Sequence, residues 1–289
     1  IPTSAVAASH GYAYIEPAGG SPEVFDRGLE NIFFAQPAIS AGQADPIALY
    51  ILGLPQDQRP QTFAVVSLDD PFTLSVAERL KALLTDAGLE LVFDQVYPEN
   101  TTDFSEIANE VADLDPDLVI GATQQQDSID QILAYQAVDY QPRIAFFTNG
   151  PSIPTSFFFV LFTSTVVFFS SISLFPESYC FQIFLFFSAF NFFFCVSLFV
   201  IPSYPSSPFT FRQVLQQAVS STESIDNATL ITELHRGTYD TIVGSLSFDR
   251  TGKPQGSFML LQWQGDSFFI VGPSDRAEVD PIAPPKPEW

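Results

Sequence analysis

Cysteine and histidine are nearly missing from this chain. Of its 289 residues two are cysteines, Cys180 and Cys195, and two are histidines, His10 and His235. Both cysteines fall in one aberrant block, so neither a disulfide framework nor a cysteine-based zinc site is available. The histidines lie far apart, and neither stands in a motif that supports a metal site or a Ser-His-Asp triad. They read as surface residues. Basic residues are scarce too: 11 Lys and Arg face 33 Asp and Glu, for a formal net charge of −22. Neutralising phosphates takes Lys and Arg clusters, so the composition argues against nucleic acid as a partner. The acidity fits solubility, or a salty or acidic environment. The motifs G-x-G-x-x-G and G-x-x-x-x-G-K-[ST] do not occur, which weighs against an enzyme on a Rossmann-like fold. Gly19 and Gly20 follow a strand-like run but lack the third glycine. The carboxylate pairs Asp69/Asp70 and Asp115/Asp117 read as helix caps and turns rather than acid/base pairs. No catalytic residue, metal site or cofactor is expected. The chain starts at Ile1 with no charged n-region or cleavage site before it, and reads as a fragment or a processed product.

What is present is a regular alternation of strand and helix patterns between Thr62 and Gly121. Thr62–Leu68 (TFAVVSL) is a β-branched run. Asp70 then offers an N-cap before Pro71 at the first helical position. Val76, Leu80, Leu83, Leu84 and Ala87 follow at helical spacing, with Gly88 as a left-handed stop. A second strand is expected over Leu89–Tyr97. Asp103 to Glu106 resembles a capping box, opening a helix whose apolar face is Phe104, Ile107, Ala108, Val111 and Leu114. Asp117–Gly121 is a third strand, Ser128–Val138 a helix and Arg143–Phe147 a fourth strand. Strands joined by ten-residue helices need crossovers, so the expected fold class is α/β, with a parallel sheet covered on both faces. Such sheets bind ligands at the carboxyl ends of their strands.

From Ile153 to Ile201 the text changes. The block contains about half of the 31 phenylalanines and one charged residue, Glu177. It shows no 3.6 or 2.0 period. Two runs, Phe157–Phe175 and Tyr179–Ile201, are long enough to span a bilayer, yet no Lys or Arg flanks them. Triple phenylalanines facing every direction fit poorly in a domain core. Phe, Ser, Leu, Pro, Val and Ile are what T-rich DNA yields on translation, and the composition favours a translated intron or a frameshift. Membrane spans and an unusual core remain the alternatives.

Globular sequence resumes at Phe211. Val214, Leu215, Ala218 and Val219 mark an amphipathic helix. Asp226 caps another, with Leu230, Ile231 and Leu234 inward and Gly237 as its stop. Thr241–Phe248, Phe258–Gln264 and Ser267–Val271, with turns at Asp249–Gly252 and Gly265–Asp266, read as a terminal antiparallel meander. The proline-rich tail Asp280–Trp289 reads as extended or disordered.

Several segments together resemble the type 1 periplasmic binding proteins, specifically the branched-chain amino acid (leucine/isoleucine/valine) receptor family. They are Ile15–Glu23 (IEPAGGSPE), Arg27-Gly28, Asn31–Phe33, Thr62–Val66, Asp69–Phe72 (DDPF), Ala87–Glu90, Tyr97, Thr102–Ser105, Asp115–Asp117, Gly244–Asp249 with Gly252, and Gln262-Trp263. The resemblance covers roughly residues 5–150 and 211–273 and is carried by the order of these segments. It departs where the family's opening elements would stand and where the Phe-rich block replaces part of the second lobe.

The resemblance implies a two-lobe fold that binds a small ligand by hinge closure, without catalysis. Residues 1–61 would be the remainder of the first lobe and 62–150 a second-lobe segment. Residues 151–210 are the aberrant block, 211–273 the closing helices and strands, and 274–289 the tail. The family's carboxylate-holding loop matches Ala18, Gly19, Gly20 and Ser21, where small residues let backbone N–H groups approach an anion. A plain glycine turn is the alternative. Phe72 matches a cleft-lining aromatic, or else a core contact of the helix beginning there. Thr123 and Gln124, and Asn149, stand at carboxyl ends of strands where polar side chains would face the cleft. The implied partners are an amino acid or similar small ligand and a membrane transporter or receptor, in a periplasmic or extracellular setting. A membrane-anchored receptor or a degenerate, non-functional product is the alternative.

Overall fold

The computed structural model of the chain describes residues 2–17, 20–149, 197–200, 207–264 and 267–285. The chain opens with α1 (Pro2–Ser9), β1 (Tyr14–Glu16), the helical turn α2 (Pro22–Phe25) and β2 (Ile32–Phe34). Strands β1 and β2 pair in parallel, Tyr14 opposite Ile32. A 3-10 turn (Ser40–Gln43) leads into α3 (Ala44–Gly53). Then come β3 (Thr62–Leu68), α4 (Pro71–Asp86), β4 (Glu90–Tyr97), α5 (Ser105–Leu114), β5 (Leu118–Ala122), α6 (Gln125–Ala137) and β6 (Ile144–Phe147). After β7 (Ser197–Val200) follow α7 (Ser207–Thr222), α8 (Asn227–Leu234), β8 (Thr238–Thr241), β9 (Gly244–Ser247), β10 (Leu260–Gln264) and β11 (Ser267–Gly272).

Seven strands form one sheet in the order β11-β10-β7-β6-β5-β3-β4. The five from β7 to β4 are parallel, while β10 runs antiparallel to β7 and to β11. The near-continuous apolar strands follow from burial on both faces. Phe63 and Val65 of β3 pack with α3 and α4, among Ile47, Ile51, Val76, Leu80 and Leu84. Ala64 and Val66 turn the other way, toward α5 and α6, among Ile107, Val111, Ile132 and Tyr135. The expected α/β sheet with helices on both faces is present.

Local signals set the element ends. The Asp70 carboxylate accepts from the N–H groups of Phe72 (2.7 Å) and Thr73 (3.0 Å), with Pro71 in the first turn of α4. Gly88 takes φ +92°, as a left-handed stop requires. The capping box expected at α5 does not form: Phe104 is the N-cap and makes no side-chain cap, while Asp103 before it accepts from Ser105 N–H at 2.9 Å. Leu114, expected on the apolar face of α5, is instead 49 % exposed. It sits in the last turn, just before Asp115 adopts the left-handed conformation that ends the helix. Asp117 ties the amino ends of three strands, accepting from Gln61 N–H (2.8 Å) and pairing with Arg143 (3.3 Å). Helix α6 starts three residues earlier than its periodicity suggests, at Gln125.

The small β1–β2 sheet belongs to a second body. Ile15, Phe33 and Ala35 pack with Val214 and Ala218 of α7, Leu230 and Leu234 of α8, and Tyr239, Leu246 and Phe248. The chain leaves this body after Ala35 and again after Phe248. These two exits run side by side, for Phe34 N–H donates to Gly252 O at 3.2 Å.

The expected single meander is two separate hairpins. Thr241–Phe248 is not one strand: the chain reverses at Ile242-Val243, helped by Gly244 at φ +106°, and β8 pairs with β9. The β10–β11 hairpin joins the seven-stranded sheet instead. The first part of the tail is held rather than free. The buried Gln262 side chain accepts from Ile282 N–H (2.7 Å) and donates to Ile282 O (3.0 Å), and Gln264 donates to Asp280 O (2.9 Å).

Of the Phe-rich block, 197–200 form β7 between β6 and β10. Both candidate membrane runs otherwise lie outside the described residues. Among the described residues no helix is long and apolar enough to cross a membrane.

Candidate functional site

Parallel register brings the carboxyl ends of β3, β5 and β6 to one edge: Ser67 stands opposite Ala122, and Gly121 opposite Phe147. The residues that follow each strand therefore meet. Thr148 clamps the β5 exit, its hydroxyl accepting from Thr123 N–H (2.9 Å) and donating to Thr123 O (2.8 Å). Gln124 donates to the second oxygen of Asp70 at 3.4 Å and accepts from Asn149 Nδ2 at 3.3 Å. Thr123 Oγ1 and Asn149 Oδ1 are fully shielded without a hydrogen-bond partner, as are Ser67 Oγ near the end of β3 and the amide atoms of Gln131 beside Gly121. Thr123 and Asn149 are 0 % and 6 % exposed. Buried groups in this condition mark places where a partner is wanted, because desolvation costs about 1–3 kcal/mol each.

Acidic character reinforces this edge. Tyr97, at the end of β4, donates its hydroxyl to Asp127 Oδ2 at 2.8 Å. Burial, and then this bond, hold the Tyr97 phenol far above its ordinary range. Burial also raises the Asp127 carboxyl, opposed by the Tyr97 hydrogen bond and aided by Asp130 and Asp70.

The β1–α2 loop lies against the amino end of α4. Ser21 Oγ lies 3.4 Å from Pro71 O, and the Ser40 and Ser75 hydroxyls are 2.6 Å apart, so this loop and the turn before α3 border the first turn of α4. Gly20 O accepts from Ser40 N–H at 2.8 Å. A Cβ on Gly20 would meet the Phe34 ring at 2.5 Å, a packing reason for glycine beside the expected one of anion approach. Phe72 is half-buried in that first turn and stands outside the apolar clusters that cover the sheet. Ala18 and Gly19 lie outside the described residues.

Of the residues singled out from sequence, Thr123, Gln124 and Asn149 are brought into one cluster, and Ser21 and Phe72 lie along α4. Sequence reasoning missed Thr148 as the clamp and the second role of Asp70, which was legible only as a helix cap. It also missed the Tyr97–Asp127 pair, because residues in different crossover units share no local pattern. The assembled groups are hydroxyls, amides and carboxylates, the donors and acceptors with which a side-chain cluster can hydrogen-bond a polar solute.

The model of the periplasmic binding protein family matches residues 2–155. The chain belongs to that family. Among curated periplasmic binding proteins, the Leu/Ile/Val-binding protein homolog 7 of Brucella abortus is 30 % identical over 138 residues, 45 % of this chain and 33 % of the relative. Homolog 8 of the same organism is 27 % identical over 146 residues, 49 % of this chain and 36 % of the relative. The matched stretch thus spans about a third of the length of these relatives. Among solved structures, a leucine-binding protein LivK from Thermotoga maritima superimposes with a TM-score of 0.70 at 13 % identity, covering 93 % of this chain and 75 % of that one. A solute-binding protein of an ABC transporter from R. palustris in complex with benzoate gives 0.63 at 15 % identity, covering 96 % and 75 %. At such identities the likeness concerns the fold: two α/β lobes of the type 1 periplasmic binding proteins.

Proposed function

We propose that this chain binds a small polar molecule, an amino acid or a close analogue, between its two lobes and releases it unchanged. The observation that carries the reading is the pair of buried, unpartnered groups, Thr123 Oγ1 and Asn149 Oδ1, at the carboxyl edge of a parallel sheet. That edge is where open α/β sheets take their ligands. The loop of Ala18, Gly19, Gly20 and Ser21 would hold the ligand's anionic group from the first lobe, with Phe72 lining the second. The paired exits at Ala35 and Phe248 would serve as the hinge, and ligand would bias an open–closed equilibrium toward closure. The names of the Brucella relatives and of the Thermotoga protein support leucine, isoleucine and valine as the first ligands to try. Delivery to a membrane transporter, in a periplasmic or extracellular setting, is the matching role.

Calorimetric titration of the full chain with L-leucine, L-isoleucine, L-valine and benzoate tests this. Saturable one-site binding is expected, weakened about tenfold or more by Thr123→Val and by Asn149→Leu. Absence of binding to all four, or wild-type affinity in both variants, would overturn the proposal.

A further inference from the structure

Three side chains from three different strand ends form a single file: Asp70 after β3, Gln124 after β5 and Asn149 after β6. The order of donors along it is dictated by chemistry. An ionised carboxylate only accepts, so the Gln124 amide must turn its NH2 toward Asp70 Oδ2 (3.4 Å). Its carbonyl then faces Asn149, which must answer with its own NH2 (3.3 Å). The Asn149 carbonyl oxygen is thereby turned away from the file, and it is the atom left shielded and unpartnered. Asp70 is itself immobilised, because its other oxygen caps α4 through Phe72 N–H and Thr73 N–H.

We propose that Asp70 and Gln124 are positioning residues that fix the polarity of the Asn149 amide, so that the site presents an acceptor and selects ligands carrying a hydrogen-bond donor at that point. The inference rests on the ligand-binding reading above and adds to it a specificity device. An asparagine in isolation offers a donor or an acceptor with equal ease, since its amide can flip. The carboxylate at the far end of the file biases that choice through the solvent-exposed Gln124 amide, and a ligand with an acceptor there would meet lone pair against lone pair. Specificity built on such a buried mismatch is stronger than one built on shape alone.

The test compares L-leucine with 4-methylpentanoate, the same molecule without its ammonium group, on the full chain. Asp70→Asn keeps a good cap for α4 while removing the obligate acceptor. Gln124→Met breaks the file while leaving the Asp70 charge in place. Each is expected to lower the preference for leucine over 4-methylpentanoate by about tenfold. The double variant should fall no further than either single one, because both changes cut the same file. Additive losses would mean independent effects of charge and contact, and would overturn the proposal. So would an unchanged preference in Gln124→Met, with leucine still bound, which leaves the ligand-binding reading standing. If Asp70→Asn fails to fold, Gln124→Met alone decides. No binding of either probe to the unmodified chain overturns this inference together with the reading on which it rests.

Discussion

Gly252 lies directly against the backbone of Ile32: a Cβ at Gly252 would stand 1.6 Å from the Ile32 carbonyl oxygen. Its φ of +80° and its own carbonyl, which accepts from Phe34 N–H at 3.2 Å, bind the exit after β9 to the exit after β2. Gly252→Ala is therefore expected to destabilise the chain on the order of 3 kcal/mol or more, combining a steric clash with left-handed strain. Gly53→Ala, at a position with open space around it, should change stability by less than about 1 kcal/mol. Urea unfolding of the two variants side by side checks the contrast.

The tail makes a second case. Gln262 is 0 % exposed and its amide is satisfied by both backbone groups of Ile282. Truncation after Val279 removes both Ile282 partners and leaves Gln262 Nε2 stranded while Oε1 keeps the Gln264 amide (3.0 Å), which should cost about 1–3 kcal/mol. Adding Gln262→Leu to the truncated chain should recover part of that loss, because an apolar side chain needs no partner. Thermal unfolding of the three chains would expose the reverse pattern, in which Gln262→Leu hurts the truncated chain further.

Tyr135 packs edge-on to Tyr140, ring centroids 5.6 Å apart, with its hydroxyl buried and unpartnered. Tyr135→Phe removes the orphaned group and keeps the ring. A gain of about 1 kcal/mol in unfolding free energy is expected. A loss of similar size would reveal a partner for the hydroxyl in solution.

Asp127 carries a pH signature. Burial raises its carboxyl in the folded chain, so folding favours the protonated acid. Its favourable contribution is complete below the ordinary aspartate range and is lost as pH rises through the raised value. Asp127→Asn stays neutral throughout and can still accept from the Tyr97 hydroxyl. The Tm of this variant should match the unmodified chain at acid pH and exceed it increasingly as pH climbs through that window. A difference that narrows with rising pH would contradict the assignment.

Much of the second-lobe sheet is legible before any coordinates. Asp70 followed by Pro71 announces α4, Gly88 ends it, and the runs at 62–68 and 117–121 are apolar without interruption because both faces are covered. These signals act within a few residues, and local sequence carries them. Apart from local misses at the cap of α5, at Leu114 and at the start of α6, the failures are long-range. The run at 241–248 reads as one strand, yet it is split around Gly244 because Tyr239 and Leu246 both go to the first-lobe core. Residues 197–200 carry no periodicity, yet they pair with β6 on one side and β10 on the other.

The candidate site divides in the same way. Sequence alone determined that polar residues would stand where β5 and β6 end, since strand ends can be read from where apolar runs stop. It also determined the absence of cysteine, histidine and basic clusters that other chemistries need. Only the tertiary structure decided that Asp70, Gln124 and Asn149 touch, across separations of 54 and 25 residues. Crossover connections let parallel strands end together while their sequences lie far apart. The direction of each amide in that file is set by a carboxylate that local sequence marks only as a cap.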